Sequence, residues 1–338
     1  MVSPVPVNPF ASELWIDQPD AEQRIEAMAQ AGTISPEERS TLDDFRRDGF
    51  ARIALDPSHE PLDELVADLD CIWSEKPADL VYGYGKPFLR RMSAADTARE
   101  RQPGYRIHEL QSHSAAARHF YLHPRLHALA TLILGERPVA IQSILFEYGS
   151  AQALHRDPVF VRTARAGHLF AAWIALEDIH PDAGPLMYVP RSHRLPPYEY
   201  RPGVYRFDST SFGQAEIDAE QQWLREQMHV HALHTEHFTP RKGEVLFWHA
   251  GLYHGGAAIA DASRTRRSYV IHYSSMRTHH STAIMFRDSS DESQPMQIRG
   301  TLRLMKKGRA LGFANPISRR AYSRWASLRH RIASRFRR

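Results

Sequence analysis

His155 and Asp157 stand two residues apart in the segment Leu154-His-Arg-Asp157. On a strand, two such side chains project from one face. An imidazole and a carboxylate placed side by side can take adjacent positions on one divalent ion. A second histidine from elsewhere would complete a two-histidine, one-carboxylate facial triad, leaving positions open for a chelating cosubstrate and dioxygen. His-x-Asp alone is a weak signal, since most instances are exposed strand pairs. Its weight comes from a downstream cluster, Gly243-Glu-Val-Leu-Phe-Trp-His249-Ala-Gly-Leu-Tyr-His254-Gly-Gly256. Here an apolar strand runs into a turn and offers two candidates for the third ligand, His249 inside the strand and His254 at the turn. Next comes Arg266-Arg-Ser-Tyr-Val-Ile-His-Tyr273, a further strand that puts Arg266, Ser268, Val270 and His272 on one face. An arginine facing inward is an unpaired buried charge unless an anion meets it, and a ligand carboxylate gripped by two N–H groups would do so.

These residues need a scaffold that brings distant strands together. Ser35-Pro36-Glu37-Glu38 reads as a helix start, with Ser35 as N-cap, Pro36 in the first turn and Glu38 closing a capping box; Gly49 ends the helix. A strand over 50–54, a helix over 61–74 and a long helical stretch over 113–134 follow. From Pro138 onward the pattern changes to short strands, over 139–148, 153–157, 168–176, 186–189, 244–249 and 266–274. Pro158, Gly184-Pro185, Pro190, Pro240 and Gly243 mark the joints. This predicts an antiparallel sandwich or barrel with helices packed around it. Residues 195–235 interrupt the strands as a polar, Tyr-rich insertion or lid.

The ordered motifs resemble the phytanoyl-CoA dioxygenase-like family of iron(II)/2-oxoglutarate oxygenases over roughly residues 40–275. The resemblance is carried by Phe45-Arg-Arg-Asp-Gly-Phe50, Leu134-Gly-Glu-Arg-Pro138, Leu154-His-Arg-Asp157 and Ala172-Trp-Ile-Ala-Leu-Glu-Asp178. Gly184-Pro-Leu-Met-Tyr-Val-Pro-Arg-Ser-His-Arg194 and the segment from His254 to Tyr273 complete it. It implies a mainly β fold with flanking helices and a double-stranded β-helix (jelly-roll, cupin-like) core. It further implies that His155, Asp157 and His254 bind iron(II) and that Arg266 holds the distal carboxylate of 2-oxoglutarate. Trp173 matches a tryptophan lining the cosubstrate pocket, and Gln142 lies where a neighbouring strand adds a polar contact. By the same resemblance, iron(II), 2-oxoglutarate and dioxygen are the cofactors and cosubstrates, and hydroxylation of an unactivated C–H bond with release of succinate and CO2 is the reaction. Two positions depart from the family pattern: Gly256 replaces a hydroxyl-bearing residue, and Arg191 replaces the glycine of a Pro-Gly-Ser-His turn. A cupin-like isomerase or hydrolase using the same ligands, and a non-catalytic binding protein, are the rival classes; succinate formation separates them.

The rest of the chain bounds the answer. With 338 residues, 42% hydrophobic and 24% charged, the composition is that of a globular protein. A single cysteine, Cys71, forms no internal disulfide. The N-terminus does not read as a signal peptide and no apolar run approaches the length of a membrane span, so a cytoplasmic protein is expected. The layout expected is an extension over 1–34, one oxygenase domain over 35–300 with its β core at about 138–275, and a basic tail over 301–338. That tail holds 12 Lys or Arg and no acidic residue, whereas residues 1–300 hold 31 basic against 39 acidic groups, a formal charge of −8. Ala321, Trp325, Leu328, Ile332 and Phe336 fall on one side of a helix there. Packing on the acidic body is the first reading, contact with an anionic lipid surface or acidic partner the second; no nucleic-acid-binding module is present. Tyr198, Tyr200, Tyr205 and Trp223 in the insertion, with Tyr82, Tyr84, Arg90 and Arg91 in a loop over 80–110, point to a polar or anionic small-molecule substrate.

Overall fold

The computed structural model describes residues 14–55, 60–78, 80–84, 89–161, 163, 165, 167–205 and 212–278, with the backbone of three short strands between 294 and 310. The α-helices among them are α1 (Ala21–Gln30), α2 (Pro36–Asp48), α3 (Glu60–Glu75), α4 (Thr97–Glu100), α5 (Ala115–Tyr121), α6 (Pro124–Leu134) and α7 (Gln214–Val230). The strands are β1 (Phe50–Ala54), β2 (Val81–Tyr84), β3 (Leu89–Arg91), β4 (Tyr105–His108), β5 (Pro138–Phe146), β6 (Phe170–Ala175) and β7 (Leu186–Tyr188). After these come β8 (Glu236–Phe238), β9 (Glu244–His249), β10 (His254–Gly256), β11 (Ser268–Ser275), β12 (Gln294–Ile298), β13 (Thr301–Lys306) and β14 (Arg309–Ala310).

β1, β9, β6, β11 and β5 pair in that order as the body of a large antiparallel sheet, which β4, β2 and β3 extend. β10, β7 and β8 form a small second sheet. Period-two alternation sorts the residues of the central strands. Phe170, Ala172 and Ile174 of β6, Val245 and Phe247 of β9, and Tyr269, Ile271 and Tyr273 of β11 face the helices and merge with their core. The alternate residues Ala171, Trp173, Ala175, Leu246, Trp248 and Val270 face Leu186, Tyr188 and Phe238 of the small sheet. With both faces covered, β6 and β11 read as continuous buried runs. The result is a double-stranded β-helix of mainly antiparallel strands with helices outside, the fold class expected.

The α2 capping box is present, with Ser35 Oγ accepting from Glu38 N and Glu38 Oε2 accepting from Ser35 N, and Gly49 closes the helix at φ 81. Elsewhere the structure departs from the sequence reading. The helical stretch 113–134 is two helices, because Pro124 lacks the N–H that would continue α5 and instead starts α6. Residues 153–157 form no regular strand; His155 makes an isolated bridge with His254, and Asp157-Pro158 opens a 3-10 turn. The 80–110 loop contains β2, β3 and β4, and the 195–235 insertion is built on the 17-residue α7. Residues 14–34, placed in the N-terminal extension by sequence, send Leu14, Ile16 and Ile25 into the main core. The Ile317–Arg338 helix lies outside the described residues. No helix of the described residues is long and apolar enough to cross a membrane.

Candidate metal centre

His155 and His254 meet backbone to backbone. His155 N donates to His254 O at 2.9 Å and His254 N to His155 O at 3.0 Å, so the two rings sit 4.5 Å apart. Each ring is oriented the same way. His155 Nδ1 lies 2.9 Å from the Ala153 carbonyl, and His254 Nδ1 lies 3.0 Å from the Leu252 carbonyl. A carbonyl only accepts, so each Nδ1 carries a proton and each Nε2 is the ring nitrogen left to face the cluster. Burial, with His254 adjoining, pulls the His155 pKa down to about 3, so this ring is neutral and ready to ligate. The local cause is the bridge, which extends the His254 backbone from the small sheet and ties it to the Asp157 turn.

Asp157 is 4% exposed and completes the cluster. One ligand atom from each of His155, Asp157 and His254 lies within 4.8 Å of the others. Asp157 Oδ1 is 3.5 Å from His254 Nε2 and 3.4 Å from Nε2 of the buried His272, while Oδ2 accepts from Trp248 Nε1 at 2.6 Å. Burial raises the carboxyl pKa, but the imidazoles of His254 and His272 more than reverse this and hold it well below the ordinary range. A carboxylate held ionised and two imidazole Nε2 atoms converging on one point fit a divalent ion. Zinc, iron and their neighbours all take such donors.

Arg266 precedes β11 and is 2% exposed. Its guanidinium lies over the rings of Phe146 and Trp173, at 5.1 and 5.6 Å, and donates to the Tyr148 carbonyl at 3.3 Å. Its Nε and the Trp173 Nε1 are buried without a hydrogen-bond partner. Burial and the nearby Arg106 bring its pKa down to about 9, so it is charged at neutral pH with no carboxylate of the described residues in contact. The flanking arginines differ: Arg264 pairs with Asp261, and Arg267 with Glu177 and Glu147. Trp173 faces this site from β6, opposite Val270. Gln142 stands on β5 opposite His272.

Sequence reasoning missed two contributors, Trp248 and Arg106, and under-weighted a third. Trp248 was read only as part of an apolar strand. His272, on the inward face with Arg266, was weighed between lining the pocket and an ordinary strand role, and it faces Asp157. Arg106 on β4 lies 5.5 Å over Phe146 and donates to Gln152 Oε1 at 2.8 Å, and Gln152 Nε2 is 3.3 Å from His155 Nε2. Inward alternation along β4 was the available signal, hidden because 80–110 reads as a loop.

His249 and the other histidines and carboxylates nearby are placed elsewhere. His249 Nε2 is 3.0 Å from Asp17 Oδ2 and its Nδ1 accepts from Gly251 N at 2.9 Å, so neither nitrogen is free. His193 packs against His249, with ring centroids 5.3 Å apart. His168 lies 3.5 Å from Glu136. Glu177 accepts from Thr265 Oγ1 and Arg267 N, and Asp178 accepts from Lys242 N, which ties down the turns they border. In the insertion, Tyr198 packs on Trp223, and Tyr200 and Tyr253 both donate to Glu220. The two departures from the family pattern also acquire reasons. A side chain at Gly256 would collide with the Ser150 hydroxyl, which fills that space. Arg191 adopts the left-handed conformation (φ 67) that glycine serves elsewhere, and its N–H bonds Asp48 O at 2.7 Å.

Comparison with known proteins follows the same lines. Mouse (Mus musculus) phytanoyl-CoA dioxygenase domain-containing protein 1 is 30% identical over 90 residues, which are 25% of this chain and 31% of that protein. The chain thus matches about a third of its curated relatives' length. Among solved structures, the non-heme alpha ketoglutarate dependent carbocyclase SnoK from nogalamycin biosynthesis superposes with a TM-score of 0.52 at 18% identity, covering 72% of this chain and 85% of SnoK. EctD from S. alaskensis, determined with 2-oxoglutarate and 5-hydroxyectoine, superposes with a TM-score of 0.51 at 20% identity over 72% of this chain and 77% of EctD. Both share the fold. The family model described as phytanoyl-CoA dioxygenase (PhyH) matches residues 45–268. That match spans most of the chain and encloses all three candidate ligands and Arg266, and the protein belongs to the phytanoyl-CoA dioxygenase family.

Proposed function

We propose that the chain is an iron(II)- and 2-oxoglutarate-dependent oxygenase that hydroxylates an unactivated C–H bond of a small molecule and releases succinate and CO2. The observation that carries this reading is the pairing of a two-histidine, one-carboxylate cluster with a buried guanidinium, Arg266, that no carboxylate among the described residues touches. His155, Asp157 and His254 would hold the ion, which supplies the coupling of dioxygen reduction to oxidation of the 2-oxo acid. Everything else is the protein's. Arg266 grips the distal carboxylate, Phe146 and Trp173 wall the pocket, and Gln142 adds a polar contact. The two sheets exclude water from the space between them. Asp157 occupies the carboxylate position, which leaves no vacated site for a halide and favours hydroxylation over halogenation.

The substrate follows from the pocket and not from the family name, because one fold hosts many specificities. SnoK and EctD share this fold and carry different descriptions. Arg106 gives the pocket a second cation beside Arg266, which supports a polar or anionic small molecule. The test is anaerobic addition of iron(II) and 2-oxoglutarate to the full chain. A visible metal-to-ligand charge-transfer band, followed by succinate release on admitting air, is expected. Absence of both the band and stoichiometric iron would sink the reading.

A further inference from the structure

Asp157 is held at two levels. Its backbone carbonyl accepts from Phe160 N at 2.9 Å and Val161 N at 2.8 Å, and Pro158 follows it, so the turn that carries it is fixed. Its carboxylate is then fixed by Trp248. The indole is 2% exposed and lies between Phe50 of β1 and Ala171 of β6 in register. An alanine on one side leaves room for the ring. The other neighbour of the indole is His254, with ring centroids 4.6 Å apart and planes at 41°. One side chain therefore packs on one candidate ligand while its N–H bonds a second.

We propose that Trp248 is a positioning residue that confines Asp157 to one-oxygen coordination; this rests on the metal-centre reading above. An indole N–H only donates, and it donates to Oδ2, leaving Oδ1 to face His254 and His272. The consequence is a matter of counting. An octahedral ion held by three protein atoms keeps three positions, enough for a chelating cosubstrate and dioxygen. A carboxylate that rotates to offer both oxygens takes one of these, and dioxygen then has no place once the cosubstrate is bound. Trp248 prevents the rotation by holding Oδ2. Partners that orient metal-bound side chains in this way affect affinity as well as rate.

The experiment uses the full-length chain and cobalt(II) alone, without cosubstrate or turnover. Trp248→Phe keeps the aromatic packing on His254 and removes the N–H. Installing benzothienylalanine at position 248 alone keeps the shape of the bicyclic ring and also removes it, which covers the case in which Trp248→Phe fails to fold. Both variants are expected to weaken cobalt(II) binding about 10–100-fold and to change the visible ligand-field bands at saturating metal, with far-UV circular dichroism unchanged. Variants that fold, bind cobalt(II) as the parent does and give the parent spectrum overturn the role of Trp248 and leave it a packing residue. A parent chain that binds neither cobalt(II) nor iron(II) overturns the metal-centre reading itself, and this inference with it.

Discussion

The two faces of the large sheet are both buried, yet they are built for different ends. On the helix side, Phe170 stacks on Tyr273 at 5.1 Å and lies 6.1 Å from Phe247, amid aliphatic residues of the helices. The one histidine that β9 sends to that face, His249, has both ring nitrogens occupied by the protein itself. On the side facing the small sheet, His272, Trp173 and Arg266 carry buried polar atoms without partners, and Asp157 and His254 meet at 3.5 Å. Burial therefore does not distinguish a core from a site. What distinguishes them is whether ligand-type groups are tied up by the protein, as His249 is, or converge on a common point, as those of His155, Asp157 and His254 do. Unpartnered atoms alone do not, since the Tyr273 hydroxyl on the helix side also lacks a partner among the described residues.

The largest break in this contrast is removal of a ligand. Asp157→Ala or His155→Ala is expected to abolish stoichiometric iron and the charge-transfer band while the chain stays folded, checked by metal analysis and absorbance. On the opposite face, Phe247→Ala should cost about 3–5 kcal/mol of stability, read as a fall in the urea midpoint. The fraction still folded should bind one metal per chain. Arg266→Met separates the two effects within one residue. Losing the partner of a buried carboxylate weakens 2-oxoglutarate binding by about 2–5 kcal/mol, seen as a rise in its KM. Removing an unpaired buried charge should at the same time raise the melting temperature of the metal-free chain.

A smaller test sets His249 against His254. His249→Ala breaks the link to Asp17 at a cost of about 1–3 kcal/mol, and metal stoichiometry is expected to survive; if iron is lost as well, the assignment of the two histidines is reversed. A further test is in pH. His127 on α6 is depressed to about 4 from 6.5, first by burial and then by Arg137. A histidine kept neutral in the folded state binds its proton only in the unfolded state between these values, so stability is full above about pH 6.5. It falls by about 1.4 kcal/mol per pH unit as pH drops towards 4. His127→Leu should flatten that limb of the melting temperature against pH.

Much of this was legible in the chain. The apolar run after Gly243 marked β9 to the residue, and Ser35, Glu38 and Gly49 marked both ends of α2 because capping is a local transaction between near neighbours. The donor types at 155, 157 and 254 and the inward phase of Arg266 were likewise readable from spacing. The 153–157 strand was not, since His155 is extended only through a bridge to a residue far along the chain. Helix α7 was hidden by its polar surface, and β2 to β4 by pairing partners that only the sheet supplies.

Sequence alone therefore determined the central strands of the large sheet, which of their faces point inward, and which donor atoms the chain can offer. The tertiary structure decided which of those donors are free. It settled His249 by bringing up Asp17, 232 residues away, and it fixed Asp157 through Trp248, 91 residues away. It also brought Arg106 beside Arg266, which no carboxylate of the described residues contacts. The physical reason is range. Periodicity and capping act over a few residues, whereas satisfaction of a buried polar group depends on whatever the folded chain packs against it.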